Sequence, residues 1–170
     1  GKTAGVVTAT LAADSLSNLG SLSTSSTDAI TLSVNDGEGA TRAATDLSTL
    51  GGKTSGTVTV SNAINITGDT AGATAALVTA GTKVVASSAT VGLSDNPSIT
   101  ALNNIASVAG VVTATLAAAD TTDLLNLTTA STDVITVSVD DTPTIANLNT
   151  IAGKTAGVVT ATLAADSLSN

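Results

Sequence analysis

The chain lacks six residue types altogether: its 170 residues include no Cys, His, Met, Phe, Tyr or Trp. Each absence excludes something. Without Cys no disulfide can form, which suits an extracellular protein that avoids disulfides and a cytoplasmic one equally. Without His and Cys there is no ordinary Ser-His-Asp or Cys-His nucleophile, and no imidazole or thiolate metal site. GxGxxG and the phosphate-binding loop are missing as well. The expectation is therefore a protein that is not an enzyme. Without aromatics the 42% hydrophobic content is Ala, Val, Leu and Ile. Any core must then be thin, regular and aliphatic, because large irregular cores draw on aromatic rings.

Basic residues are scarce too: five Lys and Arg stand against thirteen Asp and Glu, for a net charge of −8. Glu38 is the single Glu, and Asp favours turns and caps over helix interiors. An acidic chain with no stacking platform excludes nucleic acid as a partner. No apolar run approaches the ~20 residues of a membrane span, so no membrane insertion is expected, and no signal peptide is visible.

What is present is alternation. VTATL at 7–11, ITLSV at 30–34, VTVS at 58–61, ATVGL at 89–93, VTATL at 112–116, ITVSV at 135–139 and VTATL at 159–163 read as β-strands. Their starts lie 23, 28, 31, 23, 23 and 24 residues apart. Between them the period changes. Ile99, Leu102 and Ile105 are spaced as on a helix, as are Ile145, Leu148 and Ile151, and Ala44, Leu47 and Leu50. Leu16, Leu19 and Leu22, with Leu124 and Leu127, make a similar connection. Pro97 and Pro143 fall where a first helical turn accepts proline. These features predict an α/β solenoid: parallel strands about every 23 residues, joined by short helical crossovers and stacked in one long sheet. An all-β solenoid is the alternative.

The first eighteen residues, GKTAGVVTATLAADSLSN, recur without change at 153–170. We expect residues 1–152 to be one six-rung unit and 153–170 the start of the next, with the polypeptide continuing as Leu-Gly-Ser-Leu. The implied partner is self, through further copies joined covalently or end to end. A uniform filament built by strand stacking follows from that arrangement.

Two residue sets invite a site. Asp36, Asp95 and Asp141 each stand two residues past a strand, and Glu38 lies in the Gly-rich turn after Asp36. Carboxylates aligned along an edge could hold calcium; helix capping or an Asx-turn explains each Asp equally well. No other cofactor is indicated. The second set is the outward ladder of Thr8, Thr10, Thr31, Ser33, Thr113, Thr115, Thr136, Ser138, Thr160 and Thr162. Its TxT pairs resemble the flat sheet of some ice-binding solenoids, although alternate strands read Thr-x-Ser or Thr-x-Gly. Threonine also simply suits an exposed strand face.

The runs AITLSVNDG, LSDNPSITALNNIASVAGVVTATL and VITVSVDDTPTIANLNTIAGKTAGVVTATL resemble the Ala/Thr/Ser-rich tandem repeats of very large bacterial surface and secreted proteins, particularly cyanobacterial ones. The resemblance implies an extracellular, cell-surface role that is structural or adhesive, and it carries no catalytic residue. The expected function is a structural repeat of a filament, sheath or adhesin stalk. The alternative is an ice-binding or glycan-binding protein acting through the Thr/Ser face.

Overall fold

A computed structural model describes residues 5–164 of the chain. Ten strands and six helices follow one another. They are β1 (Thr8–Thr10), α1 (Leu16–Leu19), β2 (Ala29–Val34), β3 (Thr41–Ala43), α2 (Ala44–Gly51), β4 (Val58–Val60), β5 (Asn65–Gly68) and α3 (Thr70–Leu77). Then come β6 (Val84–Val85), β7 (Thr90–Leu93), α4 (Ile99–Ala106), β8 (Val111–Thr115), α5 (Thr121–Leu124), β9 (Val134–Ser138), α6 (Ile145–Ala152) and β10 (Val159–Thr160). All strand pairs are parallel. They form two sheets, one ordered β1-β2-β4-β6 and one ordered β10-β9-β8-β7-β5-β3.

This overturns the expected solenoid in both its α/β and its all-β form. The described residues form a compact α/β domain with two parallel sheets and six helices, and neither sheet closes or curls. The cause lies in the two long intervals between strands. Residues there form β3, β5 and β6, three strands of two to four residues without clear alternation, which the sequence did not announce. They divide the expected strands, leaving β1, β2 and β4 in the first sheet and β7, β8, β9 and β10 in the second. With its strands spent inside two separate sheets, the domain does not offer the single continuous sheet on which the strand-stacked filament depended. The second 18-residue copy is described only to Ala164, and its remainder, 165–170, lies outside the described residues.

Helix starts follow from capping. Ser15, Asp69, Ser98, Asp120 and Thr144 each accept a hydrogen bond from the N–H three residues on, satisfying an otherwise orphaned donor. Pro97 and Pro143 lie one residue before the caps Ser98 and Thr144, not in the first turn as expected. Helix α3 has no leucine spacing to betray it, but Ala73, Ala76 and Leu77 put small side chains on one buried face. The fully buried aliphatics include Leu32 and Ile135 from the strands, and Leu47, Leu102 and Ile105 from the helices. The alternation also holds where strands are flanked: Ile30, Leu32 and Val34 are buried, whereas Thr113, Thr115 and Thr136 are exposed. Among the described residues no helix is long and apolar enough to cross a membrane.

Candidate functional site

Polar side chains enter the interior where strands begin, and they do so twice in the same way. Asp28 stands just before β2, with Oδ1 accepting from Val7 N at 2.9 Å and Oδ2 from Ser25 N at 3.0 Å. Asp133, just before β9, repeats this with Val112 N at 2.7 Å and Ala130 N at 2.8 Å. The two backbone donors hold the Asp28 carboxyl below the usual carboxylate range.

A Lys-Thr-x-Gly turn then closes over each of these Asp turns. Thr54 is buried, and its hydroxyl accepts from Ile30 N and Gly56 N, each at 2.8 Å. Its one proton is directed between the Asp28 and Ile30 carbonyls, each 2.8 Å away. The hydroxyl is thereby saturated. Thr155 makes the same four contacts with Ile135 N, Gly157 N, Asp133 O and Ile135 O. The glycine of the motif is required by proximity, since a Cβ at Gly56 or Gly157 would lie 2.3 Å from the carbonyl oxygen of Ile30 or Ile135. The lysines reach back to the chain leaving a short helix. Lys53 Nζ donates to Leu22 O at 2.9 Å, and Lys154 Nζ donates to the Leu125 and Leu127 carbonyls. A cation there suits the negative end of the helix. Sequence reasoning missed this latch, although Gly-Lys-Thr-x-Gly stands at 1–5, 52–56 and 153–157, each time just before a strand.

The three strand-end aspartates go to three different helix starts. Asp36 Oδ2 accepts from Leu16 N at 3.0 Å, at the start of α1. Asp95 Oδ1 accepts from the backbone N–H and the hydroxyl of Thr70, at 2.8 and 2.7 Å, at the start of α3. Asp141 Oδ1 does the same with Thr121 at the start of α5. Leu16 has no hydroxyl to offer, and Asp36 is paired instead with the Arg42 guanidinium. Arg42 foremost, against the opposing effect of burial, holds the Asp36 carboxyl below its usual range. The Thr70 hydroxyl chiefly does the same for Asp95. Glu38 is exposed in the turn that Gly39 closes at a φ of 74°. Among the described residues no three acidic side chains come together as a metal ligand set would. At Asp36, moreover, a calcium ion would have to displace a guanidinium.

The Thr/Ser ladder is divided between the sheets. Thr8, Thr10, Thr31 and Ser33 lie on β1 and β2 of the first sheet, and Thr113, Thr115, Thr136, Ser138 and Thr160 on β8, β9 and β10 of the second. Thr162 is exposed just beyond β10. Register brings Thr10 beside Thr31, Thr115 beside Thr136, and Ser138 beside Thr160. It also breaks the rows: Thr8 faces Ala29, and Thr113 lies between Gly92 and Val134.

No protein-family model matches the chain, and no curated protein or solved structure is significantly similar to it. Its chemistry therefore rests on its own geometry, which ties strand starts to helix ends.

Proposed function

We propose that the chain is a structural module of an extracellular cell-surface protein, such as a sheath or an adhesin stalk. One observation carries this reading. The buried polar residues Asp36, Thr54, Thr121, Thr129, Asp133 and Thr155 each bond a neighbouring turn, strand or helix start. No buried side-chain nitrogen or oxygen among the described residues is left without a partner. Polar groups used in this way stiffen a domain. The likeness of the repeated runs to bacterial surface repeats supports the location.

Immunogold labelling of intact producing cells, with surface proteolysis beside it, tests the reading. Label on the envelope that is removed by external protease is the expected result. Label confined to the cell interior overturns it.

A further inference from the structure

A cavity of about 440 Å³ opens between α1 and α2, a volume within the range of small-molecule sites. Leu16, Ser17 and Gly20 line it from the α1 side, and Asp46, Thr49 and Leu50 from α2. Arg42, two residues before α2, completes it. Leu16 and Leu50 supply its aliphatic part.

The two charges of the cavity do not satisfy each other. Arg42 pairs with Asp36 rather than with Asp46, and its other hydrogen bond goes to Thr41 O at 2.8 Å. A guanidinium has five N–H donors, so three remain for a ligand. Asp46 is exposed and has no hydrogen-bond or ion-pair partner among the described residues.

A second pair of helices shows that packing alone does not call for these residues. α5 packs on α6 as α1 packs on α2, and in both pairs a helix of 4 residues meets one of 8. There Leu125 stands in the position of Gly20, Pro143 in that of Arg42 and Asn147 in that of Asp46. The second pair has neither charge, and it has a leucine where the first has no side chain. Nor does Asp36 by itself require an arginine. Thr121 serves Asp141 with its hydroxyl, whereas Leu16 leaves that task to Arg42, which brings a cation to the cavity.

We propose that this cavity binds a small zwitterion, an α-amino acid with an aliphatic side chain. The carboxylate takes the unused N–H groups of Arg42, the ammonium pairs with Asp46, and the side chain lies beside Gly20 against Leu16 and Leu50. A simple anion would meet the carboxylate of Asp46, and a simple cation would meet Arg42. Only a ligand with both charges engages both groups. The inference goes beyond the proposed surface role and does not depend on it.

Isothermal titration calorimetry with L-valine is the test. Isovalerate and isobutylamine, which are valine without its ammonium and without its carboxylate, run beside it. The expected result is saturable binding of valine, roughly tenfold tighter than that of either fragment, the worth of one hydrogen bond to a charged group. Asp46→Asn should melt close to the parent and bind valine roughly tenfold more weakly. Gly20→Leu copies Leu125, which has nearly the same backbone: φ −61° and ψ −22° at Gly20, φ −65° and ψ −16° at Leu125. This variant should fold and fill the cavity, so that valine no longer binds. Arg42 stays in place, because its loss would strand the buried Asp36 carboxylate. The proposal is overturned if valine shows no saturable binding or if either fragment binds as tightly as valine. It is overturned equally if Asp46→Asn or folded Gly20→Leu binds valine like the parent.

Discussion

A threonine hydroxyl has one proton and two lone pairs, and at Thr54 and Thr155 all of this capacity is engaged inside the protein. Thr→Val at either position preserves shape but strands two backbone N–H groups in the interior. The expected loss, read by denaturant unfolding, is roughly 2–6 kcal/mol per site, at about 1–3 for each unsatisfied group. Thr→Ser retains the hydroxyl and should cost less than about 1.5 kcal/mol. Equal losses for Val and Ser would remove the hydroxyl from the account. Gly56→Ala and Gly157→Ala should destabilise as well, because the obstacle at 2.3 Å is a strand carbonyl that cannot swing aside. Titration is also decided at single residues. The folded pKa values of Asp28, Asp36 and Asp95 lie below the ordinary 3.8. Their contribution is therefore fully present above that value and is lost as pH falls through the lower folded values. The melting temperature should stay level from neutral pH down to about pH 5 and drop below about pH 4. Asp36→Asn should flatten part of that drop, and an unchanged acid limb in the variant would exclude Asp36 as a contributor.

The elements are short, and none is stable alone; one-turn helices such as α1 and α5 persist because their ends are tied and their leucines are buried. Leu124 and Leu127 face the core from α5 and the turn after it, Leu116 from the residue just past β8, and Val137 from β9. Leu116→Asp or Val137→Asp would place a charge in an aliphatic layer that has no partner for it. The expected cost is roughly 3–5 kcal/mol, the scale of an uncompensated buried charge. Thr113→Asp on the exposed face of β8 is the control and should stay within about 0.5 kcal/mol. If the core and surface substitutions melt alike, the strand faces have been assigned the wrong way round. Much at this scale was legible beforehand: alternation marks β2, β8 and β9, and three-residue spacing marks α2, α4 and α6. The missed elements carry no such periodicity. β3, β5 and β6 read TRA, NITG and VV, and α3 buries Ala73 and Ala76, whose small side chains do not stand out as an apolar stripe against the other alanines of the segment.

In the whole molecule, one hexapeptide serves, among the described strands, as an outer strand of one sheet (β1) and as both an inner strand (β8) and an outer strand (β10) of the other. Local sequence cannot distinguish these situations, because the six residues are the same and only their neighbours differ. The candidate site shows the same division. The aspartates beside strands were visible, as was the choice between capping and cation binding. Their actual donors lie 20 to 25 residues away, at Leu16, Thr70 and Thr121, and only folding brings them near. Sequence alone determined the aliphatic character of the core, the parallel strands with short helical connections, and the acidic, Thr-rich exterior. These follow from composition and from periods of two and of three to four residues, which act along the chain. Tertiary structure decided that the strands divide into two sheets, that the threonine ladder is broken by Ala29, Gly92 and Val134, and that Lys-Thr-x-Gly turns lock onto the aspartate turns that enter β2 and β9. Each of those outcomes depends on which strand pairs with which across the short segments between the periodic runs, and pairing is settled by hydrogen bonds and burial that no local period encodes.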